Sequence, residues 1–180
     1  MAVIPLSRLL ELDSAHTVCF DRHGEEITWP EFLASVARIS AALAKSDKRY
    51  WAIDVGDARE FACALYGCWA AGKTPVLAPR HMLDDGVEYD GIIRDGFGTK
   101  AAELRDPIIP ATSDLVLFTS GSTGKPTKVY RTIRNMEAEL DVLEALFGEE
   151  LEPCVRRLIG RSGGNLRDLL NMLRDAIELG

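Results

Sequence analysis

Positive charge is in short supply in this chain. Lys and Arg total 21 against 28 Asp and Glu, a net charge of −7 over 180 residues. That balance argues against a broad nucleic-acid surface, which draws on clustered cations. Cysteine is also sparse. Cys19, Cys63, Cys68 and Cys154 are scattered, with no Cys-x-x-Cys pair, and His16, His23 and His81 do not cluster with them. This favours reduced structural cysteines in a cytoplasmic protein over a metal site and leaves a zinc site with little support. Met1-Ala-Val-Ile-Pro-Leu6 has neither the basic start nor the apolar stretch of a secretory signal. No apolar run approaches the ~18 residues of a membrane span. Internal repeats and low-complexity tracts are absent.

What is present is an ordinary globular composition, 47% hydrophobic and 27% charged. The length suits one domain with a possible appendage, large enough to bury about 70% of the surface its unfolded chain exposes.

Thr17–Phe20 and Glu26–Thr28 flank Asp21-Arg-His-Gly24 and read as a β-hairpin. Thr28-x-x-Glu31 is a capping box with Pro30 in the first turn. Phe32, Val36, Ile39 and Leu43 follow as the apolar stripe of a helix. Tyr50–Val55 reads as a strand, Asp57-x-x-Glu60 as a second capping box, and Phe61, Leu65 and Trp69 as the buried face of a helix that stops at Gly72. Thr74–Ala78 returns as a strand, which makes a β–α–β unit with parallel strands. Residues 79–113 are less regular, around a short strand at Gly91–Ile93. Strands over Leu115–Phe118 and Lys128–Thr132 and a helix over Asn135–Phe147 complete the series. Beyond Gly148, two short amphipathic helices are expected, the second carrying Leu166, Leu169, Leu170, Leu173 and Ile177 on one face.

The segment richest in chemistry lies between two of these strands. Thr119-Ser120-Gly121-Ser122-Thr123-Gly124-Lys125 combines four hydroxyls, two glycines and a lysine. Glycines let backbone N–H groups converge on one anion, hydroxyls add donors without bulk, and the lysine adds a point charge suited to phosphate. A loop of that kind, held by a core-like strand, reads as a polyphosphate site rather than a polar linker.

A second segment, Gly67-Cys-Trp-Ala-Ala-Gly-Lys-Thr74, matches the Walker A pattern letter for letter. Walker A chemistry needs strand, loop, then helix, so that the helix N-terminus faces the phosphates. Here a helical pattern enters the motif and a strand leaves it, which disfavours a P-loop NTPase.

Thr-Ser-Gly-Ser-Thr-Gly-Lys-Pro126 resembles the phosphate-loop signature of the adenylate-forming (AMP-binding) superfamily, which includes acyl- and aryl-CoA synthetases and nonribosomal-peptide adenylation domains. Glu26-Ile-Thr-Trp-Pro-Glu-Phe-Leu33 and Glu60–Gly72 leading into Pro75–Pro79 are similar to segments near the start of that fold. The likeness covers about residues 15–148, and within the superfamily it is nearest to compact acyl- or aryl-activating ligases that serve carrier proteins.

The resemblance implies an α/β fold: a mixed β-sheet flanked by helices, like the N-terminal subdomain of adenylate-forming enzymes, incomplete and followed by a helical tail. It implies domains at 1–148 and 149–180. It implies ATP with magnesium, a carboxylic acid substrate, CoA or an acyl carrier protein as acceptor, and Thr119, Ser120, Gly121, Ser122, Thr123, Gly124 and Lys125 as the phosphate-binding residues. In the superfamily a lysine directly follows the proline. Here Thr127 stands there and Lys128 comes one later, so Lys128 is left unassigned.

The Tyr-Gly-x-Thr-Glu acid that helps hold magnesium, the Thr-Gly-Asp ribose contact and the C-terminal lysine of the superfamily are absent from these residues. The expectation is therefore no catalytic residue and no protein metal ligand within the chain. It would then be a truncated enzyme, a fusion, or one piece of a split enzyme whose missing part comes from a separate chain. The alternative is a non-catalytic module that binds nucleotide, phosphate or a partner.

Overall fold

The computed structural model describes residues 5–12, 17–20, 26–84, 87–104, 107–120 and 126–147, with backbone alone at 17–20, 26, 119–120, 126 and 143–147. The chain divides into two compact units, Met1–Met136 and Glu137–Gly180.

In the first unit a 3₁₀ segment at Leu6–Glu11 precedes the hairpin β1 (Thr17–Phe20) and β2 (Glu26–Thr28). Helix α1 (Trp29–Leu43) follows directly. The Thr28 backbone N–H and hydroxyl both donate to Glu31 Oε2, each at 2.8 Å. Phe32, Val36, Ile39 and Leu43 are all buried, as the stripe requires.

Then come β3 (Tyr50–Asp54), α2 (Ala58–Ala70), β4 (Thr74–Leu77), the short α3 (Arg80–Asp84), β5 (Gly91–Arg94), β6 (Asp114–Ser120), β7 (Pro126–Thr132) and α4 (Ile133–Phe147). The five-stranded sheet runs β5-β3-β4-β6-β7. The first four strands are parallel, and β7 pairs antiparallel with β6. This is the expected mixed sheet with flanking helices.

Alternation along the strands divides the core between the two faces. Trp51, Ile53, Ile93 and Leu115 face α1 and α2. Ala52, Val76 and Val116 face the other way, onto Leu83 and Val87. Helix α2 does not bury the expected Phe61–Leu65–Trp69 stripe: Phe61 and Leu65 are half-buried, and Cys63, Ala64, Tyr66, Gly67 and Cys68 are buried with Trp69. The cause is its position against both α1 and strands β3 and β4. All three tryptophan indoles donate to backbone carbonyls: Trp29 to Leu12 at 2.6 Å, Trp51 to Lys48 at 3.3 Å and Trp69 to Asp114 at 2.9 Å.

Several elements differ from the sequence reading. The Leu6–Glu11 segment and α3 were not expected. Strand β6 extends through Ser120 because the ladder with β7 continues to Ser120↔Pro126. Helix α4 starts two residues early, at Ile133, because Asn135 Oδ1 accepts from the Thr132 N–H (3.1 Å) and hydroxyl (2.9 Å). Met136 packs on the core of the first unit. The tail helices lie outside the described residues.

Candidate functional site

Parallel pairing aims the ends of β3, β4, β5 and β6 at one edge of the sheet, so Asp54, Leu77, Arg94 and Ser120 close neighbouring strands on the same side. From β4 the chain turns back past β3 to reach β5, whereas from β6 it turns outward to β7. Adjacent strands whose connections leave in opposite directions create a crevice at their carboxyl ends, where open α/β sheets bind ligands. The phosphate-loop sequence starts at this point. Thr119 and Ser120 are the last residues of β6, Pro126 opens β7, and Gly121, Ser122, Thr123, Gly124 and Lys125 lie outside the described residues. Proline is suited to the first position of a strand at the sheet edge, where its missing N–H costs little.

Lys128 is the third residue of β7. It pairs with Phe118, on the face that carries Val116 and Tyr130. Its Nζ sits 5.2 Å from the Tyr50 ring centroid and 5.3 Å from that of Tyr130. Hydrogen bonding to Tyr130 pushes its pKa above the usual lysine value. Thr127, the position held by lysine in the superfamily, lies on the opposite face, because successive strand residues alternate.

The Walker-like segment is a helix stop. Gly72 adopts φ 66°, and its N–H donates to Trp69 O at 2.9 Å, while the Lys73 N–H donates to Cys68 O at 2.8 Å. These two bonds define a Schellman motif, which needs the left-handed conformation glycine supplies. Lys73 Nζ donates to Ser46 O at 2.6 Å, tying the stop to the loop after α1. Thr74 is buried as the first residue of β4. The backbone N–H groups of this segment thus serve a helix end and a strand, not an anion.

Sequence reasoning missed the ionic group on the carboxyl edge. Asp54 accepts from Arg80 Nε at 2.6 Å and lies 3.6 Å from Arg94 Nε. Its hydrogen bond and charge raise the Arg80 pKa above the ordinary arginine value. The signal available was an aspartate closing the apolar strand Trp51-Ala52-Ile53. Among the described residues no group of three or more His, Cys, Asp or Glu is placed to hold a metal ion. Cys63 and Cys68 are buried and form no disulfide, and burial pushes the Cys68 thiol well above the usual thiol range. Among the described residues no helix is long and apolar enough to cross a membrane.

No protein-family model and no curated protein matches the sequence. Solved structures match the fold. o-Succinylbenzoate CoA synthetase (MenE) from Bacillus subtilis, in complex with AMP, aligns with a TM-score of 0.54 and 24% identity over 69% of this chain and 41% of that one. The nonribosomal peptide synthetase FmoA3 gives 0.52 and 19% over 69% and 16%. The N-terminal subdomain of NpsA from Klebsiella oxytoca, in complex with 3-hydroxyanthranilyl-AMSN, gives 0.50 and 21% over 61% and 35%. The fold of this chain is that of the N-terminal subdomain of adenylate-forming enzymes. It spans about two fifths or less of the length of the MenE and NpsA structures it matches.

Proposed function

We propose that this chain carries the phosphate-gripping part of an ATP-dependent carboxylate-activating ligase, which forms an acyl- or aryl-adenylate and passes the acyl group to CoA or a carrier protein. The observation that carries the reading is the Thr119–Lys125 sequence at the carboxyl end of β6, beside the crevice where the connections of β4 and β6 diverge. In that role the hydroxyls and loop N–H groups hold the β- and γ-phosphates, and Lys125 neutralises their charge. The fold and the nucleotide-bearing neighbours support it. The acid, ribose and lysine motifs of the superfamily are absent from these residues, so the function we assign to this chain is polyphosphate binding, in a soluble cytoplasmic setting.

The test is equilibrium binding of pyrophosphate and ATP to the full chain. Lys125→Ala is expected to weaken binding about tenfold or more, the loss of one charge-assisted contact. Lys73→Ala, which loses a bond to Ser46 O, is expected to leave the affinity unchanged. The opposite pattern would move the site to the Walker-like segment and sink the assignment.

A further inference from the structure

Among the described residues β7 is the outermost strand on its side of the sheet. It runs for seven residues, whereas β5, at the opposite edge, has four. An outer strand presents a row of backbone N–H and C=O groups with which another strand can pair. The ladder with β6 fixes which residues carry that row. The Ile133 N–H donates to Ser113 O at 3.0 Å, one step beyond the Asp114↔Thr132 pair. Hydrogen-bonded and non-hydrogen-bonded pairs alternate in an antiparallel ladder. The backbone groups of Arg131, Val129 and Thr127 therefore turn towards β6, and those of Lys128 and Tyr130 turn outwards. Thr132 also turns outwards, and its N–H is already taken by Asn135 Oδ1 at 3.1 Å. At the other end Pro126 has no N–H.

This pattern is complementary to itself. With a second β7 antiparallel to the first and a twofold axis at Val129, the two strands overlap along their whole length. Lys128 of each copy stands opposite Tyr130 of the other, and each such pair exchanges both backbone hydrogen bonds. At the ends Pro126 stands opposite the partner's Thr132. Neither has an N–H to place there, so the ladder closes without orphaning a donor.

Moving the axis one residue either way spoils the fit. An axis at Lys128 sets two ammonium groups opposite each other, which is destabilising. An axis at Tyr130 sets Thr127 opposite the partner's Ile133, where α4 has begun.

The side chains suit the Val129 axis. A lysine on an edge strand often serves to prevent pairing. Here Lys128 reaches back over the sheet, its Nζ 5.2 Å from the ring centroid of Tyr50 on β3 and 5.3 Å from that of Tyr130. It therefore does not hang across the edge. Tyr130 is 55% exposed, and in the pairing it lies beside the partner's Lys128, the same cation–aromatic combination that each chain already makes. On the other face the two Val129 side chains meet at the axis and Thr127 lies opposite the partner's Arg131, so no like charges are opposed.

We propose that β7 is a self-association edge: two copies of this chain pair β7 with β7 about a twofold axis at Val129, joining two five-stranded sheets into one. A single strand pair is a small interface, so monomer and dimer interchange with concentration. The pairing does not depend on what the phosphate loop binds.

The test uses the full chain at rising concentration. Sedimentation velocity should show a monomer–dimer equilibrium. Hydrogen exchange read by NMR should show the Lys128 and Tyr130 amides slowing as the dimer fills, about tenfold when about nine-tenths of the chains are paired. Tyr130→Pro removes an outward N–H while leaving the bonds to β6, and should raise the dissociation constant about tenfold or more. Val129→Asp and Val129→Lys each set like charges across the axis and should each lose the dimer, and an equimolar mixture of the two should restore it. If one of these variants does not fold, the wild-type exchange pattern still decides. A wild-type chain that stays monomeric at every concentration, because its own residues or a different protein take the edge, overturns the proposal. So does a dimer that protects amides elsewhere, a dimer that Tyr130→Pro leaves as tight as the parent, or a mixture of the folded charge variants that stays monomeric.

Discussion

At Gly67 the backbone of α2 approaches α1 so closely that a Cβ would sit 2.6 Å from Ile39 Cγ2. Two effects compete on replacing this glycine by alanine. Helix propensity favours alanine by about 1 kcal/mol, whereas overpacking a filled contact costs about 1–3 kcal/mol. Ile39 is itself buried and has little room to move, so the packing cost should win. Gly67→Ala is expected to lower the urea midpoint, and an unchanged or raised midpoint would show that the helices can separate at no cost. Asp90 makes a different kind of contribution. Its carboxylate accepts from the Tyr50 N–H at 2.9 Å and the Arg49 N–H at 3.1 Å, fastening the start of β3 to the start of β5. Those two bonds hold its pKa below the usual aspartate value. A carboxyl with a depressed folded pKa adds stability above its unfolded value and loses it as pH falls through the folded value. The melting temperature should therefore drop as the pH is taken below about 4. Asp90→Asn should remove part of that acid-side drop while lowering the melting temperature at neutral pH. Identical pH profiles for the two proteins would rule this out.

Among the elements, those with local signals were legible. Thr28-x-x-Glu31 fixed the start of α1, Asp57 the start of α2, and Gly72 its end, because caps and stops are written in a few adjacent residues. Glu60 did not complete its box. Its carboxylate turned instead to Gly96, a partner 36 residues away that no local pattern contains. The Thr132–Asn135 cap was passed over because the template has glutamate or glutamine at its last position. Helix α3 was missed for a stronger reason: its five residues are held by the Arg80–Asp54 bond and by burial of Leu83, both set by the assembled sheet. The β-strands themselves were read from apolar runs, but the order β5-β3-β4-β6-β7, and hence the crevice, came only with the pairing. One tie between elements bears on the site. Trp69 Nε1 donates to Asp114 O at 2.9 Å, joining α2 to the first residue of β6. Trp69→Phe removes that donor and leaves a small void in a buried position, for about 2 kcal/mol in all. The melting temperature should fall by roughly 4–8 °C, measured by circular dichroism. A drop of less than a degree would mean that Asp114 O finds another donor.

For the molecule as a whole the telling quantity is charge. A net charge of −7 is an odd background for a polyphosphate ligand, and range decides how the two coexist. Pyrophosphate carries about three negative charges. In water a pair of unit charges ~20 Å apart interacts by about 0.2 kcal/mol, so the unscreened repulsion from the whole chain is about 4 kcal/mol at that distance. The attraction to Lys125 acts at contact, at about 1 kcal/mol per charge pair at ~4 Å in water and more where water is excluded. Salt separates the two. At an ionic strength of about 0.15 M the Debye length is ~8 Å, which removes most of an interaction at ~20 Å while leaving much of one at contact. On the phosphate-binding reading, then, the association rate of pyrophosphate should rise as salt is raised from about 0.01 to about 0.15 M. A cationic nucleic-acid protein shows the reverse. Stopped-flow measurement across that range checks it. An association rate that falls with salt would mean that a positive field around Lys125, Lys128, Arg131 and Arg134 extends far enough to steer the ligand against the charge of the rest of the chain.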